Sequence, residues 1–397
     1  MKRLKMAIVN GNGPALVQPG YFTLFERLPL DVYHLGMAPL DHMMDTARDE
    51  RIFHHECQGS LCECINLLEA IRPDILYVQD NGLYNAQVAP HIKIAIPDKP
   101  FIYEPYDTVS SIYSNPSLMT ADGRSPEDVR FNVELEQYLF NVADGIVHND
   151  DGPQVRALIE KSGVPDLHVQ AYIDESEACF SLAPQHQPVR LVWAGGVAPT
   201  SAPEKTRGEN KLLPFFKELV AAGFHLDVYV ALARDDAQLA SEYPDYLDFS
   251  QQTDLFNIYP FMPRDELIKK LSHEADYGLH IFPKPPADEG RLAMYQSSMA
   301  SKVVTYLAAG LPVITGQHLE PIARYVSRHH VGVVAADGSA EQIYQAINDI
   351  DYAELKGAVM RHQSKLTVQT FIRQLETFML NILRHKYGGD NHLEGLL

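Results

Sequence analysis

The sequence predicts an α/β protein built as two doubly wound halves. Three observations predict it. Short apolar runs alternate with helical patterns through the first half. The rhythm breaks at 181–188, a stretch with two prolines, two glutamines and a histidine, and then restarts. A chain of 397 residues is also long enough for two or three domains, each with its own core. Strand–helix alternation of this kind specifies a largely parallel sheet with helices on both faces.

In the first half, Met6 to Val9 is a strand leading into the tight turn Asn10-Gly11-Asn12-Gly13. Leu30 to His34 is a second strand. Leu61 to Ile71 has helical periodicity and precedes the strand Ile75 to Val78. Phe101 to Tyr103 is the next strand, and the helix Asn132 to Val142 leads into Gly145 to His148. In the second half, the strand Arg190 to Trp193 ends in Ala194-Gly195-Gly196. The helix Lys211 to Ala222 places Leu212, Phe215, Phe216 and Leu219 on one face. Leu226 to Val230, Ile258-Tyr259, Tyr277 to Ile281, Pro312 to Ile314 and Gly332 to Val334 read as strands. Arg264 to Glu274, Ser301 to Ala309 and Ser339 to Asp349 read as helices between them. A last helix, Thr367 to Lys386, carries Phe371, Leu375, Phe378, Met379 and Ile382 on one face. The expected organisation is a Rossmann-like domain over 1–183, a second over 189–365, and a C-terminal helical segment over 366–397.

Composition narrows the function classes. The formal net charge of −19 repels phosphate backbones and argues against nucleic acid as a partner. Four cysteines, Cys57, Cys62, Cys64 and Cys179, are too few for a disulfide scaffold and fit a reducing compartment. The apolar run Met6 to Val9 is too short for a signal-peptide core, and nothing approaches the roughly 18 apolar residues of a membrane span. The expected location is the cytoplasm.

Ligands of open α/β sheets bind beyond the carboxyl ends of the strands, and several segments there have distinctive chemistry. Gly195 and Gly196 allow close backbone approach. The segment after them contains Lys205 and Arg207, two cations able to neutralise a diphosphate; the plain alternative is a solvated loop. Ser298 or Ser301 can cap a helix that stops at Gly310, and the free amides of its first turn suit an anion. Lys302 in that first turn opposes the helix dipole unless an anion or a carboxylate sits near it.

Ser301-Lys302-Val-Val-Thr305-Tyr306-Leu-Ala-Ala-Gly310-Leu-Pro312-Val-Ile is similar to the Pro-x-Lys-x-x-Glu-Tyr-Leu-Ala-x-Gly-x-Pro-Val-Ile signature of the GT-B glycosyltransferases. The resemblance is to their large retaining group, the family 4-like or "group 1" enzymes, which includes sucrose and mannosyl transferases. Ile258-Tyr259-Pro-Phe261-Met-Pro263-Arg-Asp-Glu266-Leu resembles the strand–loop–helix that contacts the nucleotide base in that family. Ala275 to Leu279 resembles its "alanine-aspartate" strand lead-in, and Arg190 to Gly196 its first donor-domain strand and glycine loop. The match is strong over 189–335 and weak in the N-terminal half.

The resemblance implies two domains facing a central cleft, the first binding the acceptor and the second the nucleotide-sugar, with the last helix crossing back to the first domain. It implies that Gly195, Gly196, Lys205, Arg207, Ser298 and Lys302 surround the diphosphate, that Tyr259 and Phe261 flank the base, and that Thr305 touches the ribose. Gly11, Asn12 and Gly13 take the place of the loop near the sugar and acceptor. Glu104 and Asp107, in the segment after a strand where many relatives carry a histidine or aspartate, are the candidates for catalysis or for polar contact with sugar or acceptor; the alternative is that one of them only caps the next segment. The implied donor is a nucleoside diphosphate-sugar, UDP first and GDP next, with no other cofactor and no metal. The implied acceptor is a glycan, lipid-linked or protein hydroxyl.

Two departures stand out. The family's paired glutamates align with Ser297 and Thr305, neither of them acidic. The loop from Pro283 to Ser298 is long and carries Asp288, Glu289 and Arg291, which are placed to supply replacement contacts. A non-catalytic GT-B module that binds a partner protein and a nucleotide-sugar epimerase of the same fold therefore stay open beside the transferase.

His54, His55, Cys57, Cys62 and Cys64 cluster without the spacing of a zinc finger and read as structural. The His329-His330 pair reads as surface. Arg373, Arg384, His385 and Lys386 on the last helix offer a basic face for peripheral contact with an anionic membrane, at its inner face.

Overall fold

A computed structural model describes residues 3–10, 25–37, 52–57, 59–80, 88–105, 108–112, 125–149, 152–169, 172–201, 210–283 and 300–388. They form two compact units, Met1–Tyr172 with Val368–Leu397, and Ile173–Thr367.

The first unit contains β1 (Lys5–Asn10), β2 (Asp31–Gly36), β3 (Ile52–Glu56), β4 (Ile75–Asp80), β5 (Phe101–Pro105), β6 (Gly145–His148) and β7 (Asp166–His168). They pair in parallel in the order β3-β2-β1-β4-β5-β6-β7, so strand order reverses between β1 and β4. Its helices are α1 (Leu61–Ile71), α2 (Val88–Ala95), α3 (Val109–Ile112), α4 (Pro126–Val142) and α5 (Pro153–Ser162). The alternation of side chains along β1 explains why both faces are covered. Met6 and Ile8 enter one apolar cluster, while Ala7 and Val9 enter a second with Leu68 of α1, Ile92 of α2 and Phe140 of α4. Helix starts follow local chemistry: Ser60 accepts the Glu63 amide at 3.2 Å ahead of α1, and Ser125 accepts the Asp128 amide at 3.0 Å ahead of α4, whose first residue is Pro126.

The second unit contains β8 (Arg190–Gly195), β9 (His225–Val230), β10 (Phe256–Tyr259), β11 (Tyr277–His280), β12 (Val313–Gly316) and β13 (Gly332–Ala335), all parallel, in the order β10-β9-β8-β11-β12-β13. Its helices are α6 (Leu213–Ala221), α7 (Asp236–Glu242), α8 (Pro244–Ser250), α9 (Arg264–Glu274), α10 (Ser301–Ala308), α11 (Glu320–His329), α12 (Ala340–Asn348) and α13 (Tyr352–Gln363). The aromatic core beside β8 is built from Trp193, Phe216, Tyr246 and Phe256. Asp276, buried just ahead of β11, accepts the backbone amides of Arg190 at 2.7 Å and His186 at 3.1 Å. The 181–188 stretch is thus fastened to the second unit, and the chain passes between units ahead of it, at Tyr172–Ile173.

After the second unit the chain returns to the first as α14 (Val368–Tyr387). Phe371, Leu375, Phe378, Met379 and Ile382 of α14 pack with Met6, Ile8, Ile75 and Tyr77 in one cluster. A Cβ on Gly145 would lie 2.3 Å from Cδ1 of Ile382, so the bare backbone of β6 is what lets α14 sit this close. Lys386 at the far end donates to both carboxylate oxygens of Asp144, at 2.9 and 3.2 Å.

Two sequence readings need refinement. His54 and His55 belong to β3, Cys62 and Cys64 to α1, and of these thiols only Cys64 is buried, as is Cys57 ahead of α1. His329 is half-buried and not simply surface: it stacks on His362 with ring centres 4.3 Å apart, while His330 is exposed. Among the described residues, no helix is long and apolar enough to cross a membrane.

Candidate functional site

In the second unit, strand order reverses between β8 and β11, which is where a doubly wound sheet opens a crevice for ligands. Three features converge there. Gly195 ends β8, His280 ends β11, and α10 begins at Ser301.

Tyr306 sets α10 against that edge. Its hydroxyl accepts the Ala194 amide at 2.8 Å and donates to the Leu279 carbonyl at 3.1 Å, bridging β8 and β11. Its ring occupies the space that a side chain at Gly278 would take: a Cβ there would lie 2.1 Å away. The Ala-Asp-Tyr-Gly lead-in and the Tyr-Leu-Ala helix are therefore two halves of one packing contact.

With α10 so placed, Lys302 reaches across the end of β8. Its Nζ stands 3.9 Å from the ring centre of Trp193 and 5.8 Å from that of Phe282. A Cβ on Gly195 would come within 3.0 Å of Nζ, so the glycine makes room for the lysine's own ammonium as well as for a ligand. Burial pulls the Lys302 pKa down to about 7, because the charge loses its hydration. No carboxylate among the described residues pairs with it. A cation on ring faces alone gains about 0.5–2 kcal/mol, less than a desolvated ammonium loses. The site is thus poised for an anion.

The start of α10 adds to this. Its N-cap is Ala300, which offers no side-chain cap, so Ser301 does not fill the capping role expected of it. Among the described residues no side chain accepts from the first-turn amides, at a helix end that favours negative charge. Thr305 lies one turn after Lys302, and its hydroxyl bonds back to the Ser301 carbonyl at 3.4 Å.

Tyr259 and Phe261 lie two strands out. Tyr259 pairs in register with Tyr229 and stacks on it at 4.8 Å. The Phe261 amide donates to the Ala233 carbonyl at 2.6 Å, tying the end of β10 to the end of β9. Gly196 is half-buried beside Gly195. Lys205, Arg207 and Ser298 lie outside the described residues, as do Gly11, Asn12, Gly13 and Asp107.

The first unit has its own polar row at the equivalent edge. Asn10, Gln79 and Glu104 align across β1, β4 and β5. Asn10 donates to Gln79 at 3.0 Å, and the Tyr77 hydroxyl donates to Glu104 at 2.8 Å. Glu104 is buried, and burial raises its pKa to about 7 against the opposing Tyr77 hydrogen bond. Glu136 of α4 accepts the Val109 amide at 2.6 Å and the Ser110 amide at 3.2 Å, which anchors α3 just after this strand.

Residues 236–377 match the family described as glucosyltransferase 3-like, C-terminal domain. No curated protein matches in sequence. Among solved structures, E. coli trehalose-6-phosphate protein bound with UDP-2-fluoro glucose superposes with a TM-score of 0.61 at 11% identity, over 96% of this chain and 99% of that one. A Thermobaculum terrenum O-GlcNAc transferase superposes with a TM-score of 0.54 at 14% identity, over 97% of this chain and 68% of that one. WaaG, a glycosyltransferase involved in lipopolysaccharide biosynthesis, gives 0.52 at 12% identity, over 97% of this chain and all of that one (100%).

The chain has the GT-B fold, and residues 236–377 carry the glucosyltransferase 3-like match.

In GT-B terms, the part of the signature that carries the Tyr306 contact and Lys302 is legible in the sequence. What the sequence does not disclose is the ring that receives the lysine. Trp193 is the single tryptophan of the chain and stands two residues before Gly195, but nothing local marks it as the partner of a lysine in another element. His280, Thr315 and His318 around it were likewise missed; their one local signal is their position at or just past strand ends.

Proposed function

We propose that this chain is a glycosyltransferase that moves a hexosyl group, glucose first, from a nucleoside diphosphate-sugar to a hydroxyl of a glycan, lipid-linked or protein acceptor, with retention and without a metal. UDP is the first expectation for the nucleotide and GDP the second. The observation that carries the reading is the Lys302 ammonium, desolvated, free of any carboxylate among the described residues, and set at the edge where this sheet receives ligands.

The chemistry follows from where charge develops. As the bond between the anomeric carbon and the diphosphate oxygen breaks, negative charge builds on the leaving phosphate. Lys302 and the first-turn amides of α10 are fixed in advance to stabilise that charge, which is the kind of preorganisation that lowers the barrier. Phosphate binding also restores the full charge of Lys302, because an adjacent anion favours the ammonium. Lys205 and Arg207 are assigned to the same diphosphate, Tyr259 and Phe261 to the base, and Thr305 to the ribose. Glu104, with Asp107 and the Gly11-Asn12-Gly13 loop, is assigned to the sugar and acceptor hydroxyls. The family match over 236–377 supports glucose as the first sugar to test.

A thermal-shift screen against UDP, GDP, ADP, CMP and TDP tests this directly. A ligand that binds only the folded state at about 100 times its Kd stabilises by about 2.7 kcal/mol, an easily read shift. One diphosphate is expected to raise the melting temperature of the wild type and not of Lys302→Ala. No shift from any of them at millimolar concentration would remove the donor site and leave a GT-B module that binds something else.

A further inference from the structure

Among the described residues of the second unit, Trp193 Nε1, His280 Nδ1, Thr315 Oγ1 and His318 Nε2 are buried polar atoms with no hydrogen-bond partner. They lie together. The Trp193 and His280 rings are 6.5 Å apart, His280 and Thr315 pair in register across β11 and β12, and the His318 ring packs on Gly316 next to Thr315. Lys302 lies over the Trp193 ring, and both its cation and His318 act on the His280 ring. Trp193, His280 and Thr315 are each 2% exposed or less.

A buried donor or acceptor left unpaired costs about 1–3 kcal/mol, and native folds keep few of them. Four in one patch beside a cation is a concentration that packing alone does not require. Thr315 is the plainest case, since valine would fill its space without the loss. The chemistry of the set is specific. It offers an indole N–H, two imidazole nitrogens and a hydroxyl, with no carboxylate and no second permanent charge. The two imidazoles are held neutral by burial, His280 also by the Lys302 cation. Such a set suits neutral hydroxyl groups, and the phosphate is left to Lys302.

We propose that Trp193, His280, Thr315 and His318 form a subsite for the hydroxyls of the transferred sugar, next to the phosphate that Lys302 holds, and so help to determine which sugar this chain accepts. The assignment rests on the donor-site reading given above. The hydroxyls of the nucleotide's ribose are the competing source of the same chemistry, and the test separates the two.

The test is calorimetric titration of the full chain with UDP and with UDP-glucose, or with GDP and GDP-glucose if the screen selects guanine. Wild type, Thr315→Val and His280→Leu are compared, with melting temperatures of each unliganded protein. One lost hydrogen bond corresponds to roughly a fivefold change in affinity. UDP-glucose affinity is expected to fall by about that factor in each variant while UDP affinity holds, so the ratio of the two drops. Thr315→Val is also expected to melt at or above the wild-type temperature, which a purely structural hydroxyl would not allow. Equal losses for both ligands would move the contact to the nucleotide and overturn the proposal. Unchanged affinities would mean that the atoms hold ordered water only, and overturn it too. Either variant suffices if the other fails to fold. If the wild type binds neither diphosphate, the donor-site reading fails first and this subsite with it.

Discussion

Lys302 Nζ sits 3.9 Å from the centre of the Trp193 ring, and Gly195 leaves the gap through which it arrives. Two elements meet in that contact: the end of β8, with Trp193 and Gly195, and the first turn of α10. It gives the site a charge that no described carboxylate neutralises, and most of the expected behaviour of the proposed donor site follows from it.

Diphosphate affinity should depend on pH through Lys302. Its pKa in the empty site is about 7, and a bound phosphate raises it. Affinity should therefore be flat below pH 7 and fall as pH rises from 7 towards 9. Lys302→Arg should flatten the profile, because a guanidinium stays charged throughout. Titrations at pH 6, 7, 8 and 9 check this.

Lys302→Met should stabilise the empty protein while removing the diphosphate. The lysine pKa is lowered on folding, from an ordinary value of 10.5, so the unfolded chain binds more protons between pH 7 and 10.5. The lysine's cost to stability is therefore full below pH 7 and fades as pH rises through that window. A higher melting temperature at pH 6 for the methionine variant, with the gain shrinking towards pH 10, is the expected result.

Gly195→Ala should lower both stability and ligand binding. Gly195 has φ +158°, a conformation that strains alanine, and the added methyl group would also displace the tip of Lys302, 3.0 Å away. Stability should fall by about 1 kcal/mol, and diphosphate affinity should drop as the ammonium is displaced. Gly278→Ala should cost more stability. Its methyl group would press into the Tyr306 ring at 2.1 Å, and overpacking of this kind costs about 1–3 kcal/mol. Chemical denaturation of both variants reads the contrast.

Glu104 should make the first unit less stable as pH rises. Its pKa climbs from 4.5 to about 7 on folding, so the folded state binds more protons in that interval. The stabilisation from the protonated acid is complete below pH 4.5 and is lost as pH passes 7. Glu104→Gln should abolish that slope. It should also lower transfer activity without weakening diphosphate binding, if the carboxyl serves the sugar or the acceptor.

Much of the architecture was legible because it is periodic. The helices Leu61–Ile71 and Arg264–Glu274 match their sequence readings residue for residue. β3 was hidden because its His54, His55 and Glu56 break the apolar pattern expected of a strand in a parallel sheet. The stretch 181–188 looked like a linker from its prolines and glutamines, yet the buried carboxylate of Asp276 claims the His186 amide and ring. Burial of that kind cannot be read from local composition. The candidate site was legible where it is a contiguous motif, at Lys302 and Thr305, and illegible where it is assembled from separate strands, at Trp193, His280 and Thr315. Those three meet only because β8, β11 and β12 are neighbours in the sheet.

The return of α14 to the first unit has a consequence for how the chain is made. Phe371, Leu375 and Ile382 complete a core whose other wall is Met6 and Ile8, and the whole of Ile173–Thr367 is synthesised in between. The first sheet must leave the ribosome with one apolar face uncovered. That face stays exposed to chaperones, or to a neighbouring nascent chain, for as long as translation of the second unit lasts. At a typical 5–20 residues per second the delay is on the order of ten seconds or more. The second unit has no such debt, since its two ends are joined by the Ile173 amide on the Leu366 carbonyl at 2.6 Å. The natural order of assembly is therefore inside-out, with the inserted unit finished before the one that brackets it.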